Sequence, residues 1–207
     1  MTAVILAIET AGATASLALG TPDGVVLASA RCDVARRHAE FVAPALAALL
    51  DGVGVDAADL EAVVVDRGPG QYTGLRVGLA TAGALHVATD VPVLGVSSLA
   101  TLAVGASGRV ATLVDMRRGE FALAIFDAGS LEPAAPPRLV AATEAVEHAR
   151  AEQVTEVRAD VALPGAAHRP LDARDLLRAG LALRAAGAPA DATPLYLRDV
   201  DAKLWHG

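Results

Sequence analysis

The sequence predicts an α/β fold built from two related units. Residues 3–8 form an apolar strand that ends at Glu9, and two further strands follow with a Pro22-Asp23-Gly24 turn between them. The same series begins again at residues 109–114, where an apolar strand ends at Asp115 and leads into a polar turn, an alternating strand and a glycine turn. Segments with helical periodicity separate the strands. A duplicated unit of this kind predicts two facing carboxylates, from Glu9 and Asp115, across a cleft between its copies.

The first unit combines strands with helices. Apolar residues at intervals of three and four predict a helix from about 35 to 51, with Pro44 inside it. Three β-branched residues predict a buried strand at 62–65, followed by a glycine-rich turn, after which Thr73 can cap a helix. The remaining elements are strands at 14–20, 25–31 and 91–96, a helix from about 74 to 89, and a short helix from Ser97 or Ser98 to about 105.

The second unit is less regular and has fewer helices. A third strand is predicted at 138–140, and Asp172 is predicted to cap a helix through about Ala186. The other predicted elements are a helix at 143–152, short strands at 154–157 and 159–163, and an extended segment at 192–198. We therefore expect one subdomain over residues 1–105 and a shorter one over residues 106–207.

Composition limits the function classes. The 207-residue chain carries a net charge of −7, so it has no basic surface for binding nucleic acid unaided. Lys203 is its only lysine, which excludes a P-loop, and Cys32 is its only cysteine, which excludes an intrachain disulfide. The beginning of the chain indicates a strand rather than a signal peptide or membrane span. We expect a cytoplasmic protein.

The turn after the strand at 62–65 admits two interpretations. Gly68, Gly70 and Gly74 have a spacing one residue longer than the dinucleotide-binding fingerprint, and Pro69 contributes no N–H donor. The turn could dock an anion or a partner's polar group at a helix N-terminus, or it could be a sharp turn without a ligand. The spacing leaves both interpretations open.

A set of motifs along the whole chain resembles the TsaB (YeaZ-like) family. The most specific motif is the central glycine-rich turn with the residues that follow it. In order, the motifs are Leu6-Ala7-Ile8-Glu9-Thr10, Arg37-His38-Ala39-Glu40, Gly68-Pro69-Gly70-Gln71-Tyr72-Thr73-Gly74-Leu75-Arg76, Val93-Leu94-Gly95-Val96-Ser97-Ser98-Leu99, Asp115-Met116-Arg117-Arg118-Gly119-Glu120-Phe121 and Pro194-Leu195-Tyr196-Leu197-Arg198. Gln71, Tyr72 and Glu9 depart from the residues that the family more often carries.

The resemblance implies the actin-like/sugar kinase/Hsp70 (ASKHA) architecture, with two ribonuclease-H-like subdomains, the second truncated. It implies a non-catalytic subunit needed for threonylcarbamoyl transfer to the adenosine beside the tRNA anticodon. Such a subunit binds and activates the larger, catalytic TsaD subunit, works beside a TsaE-like ATPase, and pairs with itself when alone. It meets tRNA only through the complex, and it has no cofactor of its own, although ATP or ADP could be held between partners.

The resemblance also implies two sets of functional residues. The partner-binding residues lie on the first two helices and are His38, Phe41, Val42, Ala45, Leu46, Leu49, Leu75, Gly78, Leu79 and Ala82. A nucleotide cleft would involve Glu9, Thr10, Gly68, Gly70 and Asp115. Because small residues at Gly74, Gly78 and Ala82 fit either the chain's own sheet or a partner helix, both interpretations stay open. If the partner interpretation holds, Gly78→Leu should abolish partner binding and leave the fold intact.

The residues argue against catalysis by this chain. The catalytic paralogue carries a His-x-x-x-His metal pair where this chain has Ser98 and Leu102, so we expect neither metal ligands nor catalytic residues. One alternative is an ATPase or phosphotransferase of the same architecture, with Glu9 and Asp115 beside Mg-ATP. The other is a glycoprotease-like peptidase, for which no serine-histidine-acid set is visible.

Overall fold

Two five-stranded mixed sheets form the framework of the protein, whose computed structural model describes residues 3–33 and 37–197. The strands of the first sheet are β1 (Val4–Glu9), β2 (Ala15–Gly20), β3 (Val26–Cys32), β4 (Leu60–Asp66) and β5 (Val93–Val96). Those of the second sheet are β6 (Val110–Asp115), β7 (Glu120–Phe126), β8 (Arg138–Ala141), β9 (Glu156–Ala159) and β10 (Ala167–His168).

The two sheets have the same connectivity. Their strand orders are β3-β2-β1-β4-β5 and β8-β7-β6-β9-β10, so the first strand of each unit lies at the centre. In both sheets this strand pairs antiparallel with the second strand and parallel with the fourth. The duplication is therefore confirmed, and the fold is the α/β ASKHA architecture of two ribonuclease-H-like subdomains. The second copy is the smaller, since β10 has only two residues.

Five α-helices cover these sheets in the part of the chain that the structure describes, and a short 3-10 helix (Ala57–Asp59) precedes β4. Helices α1 (His38–Val53) and α2 (Tyr72–Thr89) pack on the outer face of the first sheet, and α4 (Ala145–Ala151) packs on the second sheet. Helices α3 (Ser98–Ala103) and α5 (Ala173–Ala185) belong to a core cluster that includes residues of both sheets. Side chains of β1 alternate between its two faces, so this central strand contributes to a core on each side.

Each unit contributes one helix that packs on the sheet of the other unit. Helix α3 follows the first sheet in sequence but packs against β6 and β7, and Arg158 of β9 donates hydrogen bonds to two carbonyls at its end. Helix α5 comes from the second unit but packs against β1 and β2. Its first amide, Ala173 N–H, donates to Ser16 Oγ at 2.9 Å, and Gly180 leaves no room for a Cβ beside Val64. The predicted subdomain boundary, midway along the chain, stays a prediction.

Two elements differ from those predicted, and the predicted start of a third lies outside the described residues. Helix α2 begins before Thr73, because Gln71 is its N-cap residue. Helix α1 is described from His38, and the predicted start at residue 35 lies outside the described residues. A single strand, β9, replaces the two predicted between 154 and 163, because only its four residues pair with β6. Ser97 caps its helix as predicted.

Candidate functional site

The candidate site lies where β1 and β4 end. These strands are parallel neighbours, so their last residues, Glu9 and Asp66, emerge at the same edge of the sheet. Both side chains are completely buried. Glu9 Oε1 accepts hydrogen bonds from the amides of Ala11 at 2.8 Å and Gly12 at 3.1 Å. The turn that follows β1 therefore folds back over its own carboxylate.

Asp66 is held in the same way by the next turn. Its Oδ1 accepts a hydrogen bond from the Gly68 amide at 2.7 Å and another from Ser98 Oγ at 2.6 Å. Ser98 is the first residue of α3, so Asp66 connects the glycine-rich turn to that helix. In the described part of the chain, the second oxygens of Glu9 and Asp66 have no hydrogen-bond partner.

Burial and mutual repulsion favour the neutral forms of these acids. Burial raises the pKa of Glu9 well above its usual range, and the charge of Asp66 raises it further. Burial also raises the pKa of Asp66 to about 7 and that of Asp160, which follows β9, to about 6. Because two buried like charges cannot both ionise cheaply, each carboxyl of the Glu9–Asp66 pair disfavours ionisation of the other.

The Asp115 side chain is bonded within its own turn, and its predicted facing of Glu9 stays a prediction. Asp115 ends β6, as Glu9 ends β1, but its carboxylate accepts from the Arg117 amide at 2.8 Å and pairs with that guanidinium at 3.2 Å. Its own amide donates to Asp160 Oδ1 at 2.8 Å, and Asp160 is the acid that raises the pKa of Glu9 from the second sheet. Asp160 is therefore an acid of the second unit whose charge acts on Glu9, while the Asp115 carboxylate is bonded to Arg117.

The sequence alone did not identify Asp66 or Asp160 as residues of the site. Asp66 directly follows the buried Val63-Val64-Val65 run, so the rule that ligands and polar groups gather at the carboxyl ends of parallel strands could have identified it. Asp160 gave no comparable signal, because it fell inside the strand predicted at 159–163, whereas the observed strand β9 ends at Ala159.

The glycine-rich turn packs against the residues that follow Glu9. A Cβ on Gly70 would lie 2.6 Å from the Ala11 carbonyl oxygen, and the Gln71 amide donates to that same oxygen at 2.7 Å. Gly68 has a φ of +91°, which glycine adopts readily, and its bond to Pro69 is cis. Two of the turn's amides are thus bonded within the chain, which favours the interpretation of a sharp turn without a ligand.

The small residues of α2 face the chain's own first strand. A Cβ added at Gly74 or Gly78 would collide with Thr10, which follows Glu9. His38, at the start of α1, lies beside Gly74, and burial lowers its pKa. Neither ring nitrogen of His38 has a hydrogen-bond partner among the described residues, nor does Thr10 Oγ1. The Gly78→Leu expectation is therefore corrected, because the longer side chain would disrupt the fold itself.

The predicted partner-binding residues lie on the inward side of α1 and α2. Six of the ten are buried within this chain, namely His38, Val42, Leu46, Leu75, Gly78 and Ala82. The other four are half-buried against the same core, namely Phe41, Ala45, Leu49 and Leu79. The six buried residues offer little surface to a partner in this fold, and partner binding by the ten stays a prediction. Hydrophobic periodicity identified the face that meets the sheet, as it does for most surface helices.

The outward sides of the two helices carry small apolar residues. Val87 of α2 is 86% exposed, the most exposed large apolar side chain among the described residues. We call this exposed set the α1–α2 surface, and it comprises Ala43, Pro44, Ala47, Ala48, Ala80, Gly83, Ala84 and Val87. Exposed apolar residues on the outward sides of two neighbouring helices make this surface a candidate interaction site.

No group of three or more His, Cys, Asp and Glu side chains in residues 3–33 and 37–197 is placed to hold a metal ion. In the same ranges, no helix combines the length and the apolar character needed to cross a membrane.

Known proteins resemble this chain over most of its length. The family model described as TsaD, tRNA N6-adenosine threonylcarbamoyltransferase, matches residues 32–202. An uncharacterised protein of Mycobacterium tuberculosis is 36% identical over 212 residues, which cover 96% of this chain and 93% of that protein. The tRNA threonylcarbamoyladenosine biosynthesis protein TsaB of Bacillus subtilis is 35% identical over 141 residues, covering 66% of this chain and 61% of that protein.

A solved structure agrees with these sequence matches. YeaZ from Pseudomonas aeruginosa superposes with a TM-score of 0.76 at 26% identity, covering 94% of this chain and all of that one. The likeness therefore includes both sheets and the helices exchanged between them. The chain belongs to the TsaB (YeaZ-like) family.

Proposed function

We propose that this protein is a non-catalytic subunit that binds and activates a TsaD-type transferase in tRNA threonylcarbamoyladenosine biosynthesis. The general role in this biosynthesis rests on the family, since the Bacillus subtilis and Escherichia coli relatives are named for it. The partner-binding role rests on one observation, the outward-facing small apolar residues of α1 and α2. A TsaE-like ATPase would join the complex, and tRNA would bind mainly through the partner.

The α1–α2 surface fits another pair of helices. Alanine and glycine at Ala47, Ala80, Gly83 and Ala84 keep side chains short, so a partner helix can approach closely. Val87, the last residue of this surface along α2, offers a larger exposed side chain for contact. Without the partner, the same apolar surface favours pairing with a second copy of the chain.

A reconstituted reaction tests the role directly. The mixture contains the TsaD-type subunit, the ATPase, the enzyme that makes threonylcarbamoyl-adenylate, tRNA, ATP, bicarbonate and threonine. We expect product to vanish when this chain is left out, and the chain alone to make none. Equal product without this chain would refute the proposal.

A charged substitution tests the surface. Ala84→Arg should weaken binding of the TsaD-type subunit by at least about tenfold, because a central interface position would then hold an unpaired charge. Ala151→Arg, an exposed alanine on α4 beside the other sheet, is the matched control and should bind normally. Unfolding temperatures near that of the wild type would show that both variants fold. Normal binding by Ala84→Arg would locate the interface elsewhere.

The second candidate function is nucleotide binding in the cleft near Glu9, Thr10, Gly68, Gly70 and Asp115. The unpartnered carboxyl oxygens of the site favour it, because a bound group could satisfy them. It ranks second because a protonated carboxyl is a poor ligand for Mg²⁺. Calorimetric titration with ATP and ADP, with and without Mg²⁺ and the partner subunit, distinguishes binding by the chain alone from binding between partners.

A further inference from the structure

The only two tyrosines of this chain meet on its surface. Tyr72 begins α2, and Tyr196 lies in the C-terminal extended segment, yet their ring centroids are 5.8 Å apart with planes inclined at 40°. The two residues are 47% and 44% exposed. Only 3% of the residues in this chain are aromatic, and large aromatic side chains are usually buried in the core. Their exposure as a pair therefore indicates a binding role.

The segment that carries Tyr196 is fixed in place. The Leu195 amide donates to the Arg67 carbonyl at 2.7 Å, and the Gly95 amide donates to the Asp191 carbonyl at 3.1 Å. The Arg67 guanidinium also lies 3.6 Å from the Asp191 carboxylate. These contacts at Asp191 and at Leu195, directly before Tyr196, place the Tyr196 ring beside Tyr72. A preformed aromatic pair binds a ligand at a lower cost in conformational entropy.

The surroundings of the pair carry positive charge. The Arg76 guanidinium lies 5.0 Å from the centroid of the Tyr72 ring. Residues 67–89 contain no Asp or Glu, although the whole chain contains 24 acidic residues; of their two arginines, Arg67 is paired with Asp191 and Arg76 lies at the Tyr72 ring. This part of an acidic protein is therefore locally suited to a negatively charged ligand.

We infer that Tyr72, Arg76 and Tyr196 form a platform on which an unpaired base of tRNA stacks while Arg76 approaches the adjacent phosphate. We call these three residues the tyrosine platform. Proteins recognise single-stranded RNA by stacking its bases on aromatic rings and arginine planes, which is the chemistry assembled here. The inference rests on the proposed role in tRNA modification, and it makes this subunit a contributor to RNA binding alongside its partner. A protein segment is the competing occupant, and the test separates the two.

The first experiment measures RNA binding directly. The probe is a fluorescein-labelled oligoadenylate of about ten nucleotides, titrated with the complex of this chain and its TsaD-type partner at low salt. We expect Tyr72→Ala and Tyr196→Ala to weaken binding about tenfold each, in the range of one lost stacking interaction. Tyr72→Phe and Tyr196→Phe keep the rings and should bind as the wild type does. Arg76→Gln should reduce the salt dependence of binding by about one phosphate contact.

The second experiment separates RNA binding from assembly and from the proposed function. In the reconstituted reaction the alanine variants should raise KM for tRNA and leave kcat and partner affinity unchanged. If the wild-type chain is required but the variants keep the wild-type KM and probe affinity, the platform is refuted and the subunit role stands. If the variants instead lose partner affinity, the platform contacts protein and the RNA inference is refuted. If the chain is dispensable for product, the subunit role fails, and the tRNA inference that rests on it fails too.

Discussion

Asp66→Asn should stabilise the protein at alkaline pH and flatten its pH dependence. The folded protein raises the pKa of Asp66 from 3.8 to about 7, so the folded state binds a proton that the unfolded chain has already released. Stability is therefore greatest near and below the unfolded pKa, and it falls as the pH rises toward 7 and beyond. At about 1.4 kcal/mol for each pH unit, ionising Asp66 costs the fold about 4 kcal/mol near pH 8.

The asparagine keeps the bonds that Asp66 makes. Its carbonyl oxygen can accept from the Gly68 amide and from Ser98 Oγ as Asp66 Oδ1 does, and its amide group takes the place of the unpartnered Oδ2 without carrying a charge. We expect a gain of at least about 2 kcal/mol near pH 8, or roughly 4–8 °C in Tm for a domain of this size. Near pH 5 the gain should be much smaller.

Thermal unfolding followed by circular dichroism near pH 5 and pH 8 provides the measurement. Asp127→Asn, at an exposed acid that pairs with Arg109, is the control and should change Tm little at either pH. A variant of Asp66 with the same pH dependence as the wild type would refute the argument. So would a loss of stability at pH 8, since it would mean that the ionised carboxylate is the form the fold requires.

Two further predictions concern packing. Gly78→Ala should destabilise the fold by about 1–3 kcal/mol, because its Cβ would overlap Thr10, whereas Gly83→Ala, with open space around the added Cβ, should stabilise by roughly 0.5–1 kcal/mol. Urea unfolding measures both, and equal effects at the two positions would contradict the packing of α2 on β1. Arg158→Ala should cost about 2–4 kcal/mol, because it leaves two carbonyls at the end of α3 without their donor. Arg138→Ala, which removes an exposed ion pair, should cost less than about 1 kcal/mol, and a similar cost for both arginines would count against the buried contact.

Much of the fold follows from local patterns. The repeated series of strands was visible because each copy has an apolar strand ending in an acid, and the structure shows both copies with one topology. The cap residues Ser97 and Asp172 were also predictable, since their side chains accept the first free amides of their helices. The N-cap of α2 was not, because Gln71 makes no side-chain cap and its position depends on the turn's bond to Ala11.

The site was predicted less well, for a physical reason. Glu9 was identified from its place after a strand, but its interaction with Asp160 depends on how the two sheets face each other. The resemblance assigned the inward residues of α1 and α2 to a partner, and the apolar stripe that periodicity detects does not say what covers it. The alanine-rich outward surface gave no periodic signal. The tyrosine platform joins residues more than a hundred positions apart, which no local pattern reveals.

The exchange of α3 and α5 between the two units limits how this protein can move. Each sheet has its inner face covered by a helix supplied from the other half, so neither half retains a complete core when the two separate. A cleft that opened by a hinge would have to pull these helices from their sheets. We therefore expect the protein to fold as one cooperative unit rather than as two hinged subdomains. Such a unit presents a rigid surface. Cutting the chain between Gly105 and Gly108 should leave two fragments that stay associated and unfold in a single transition.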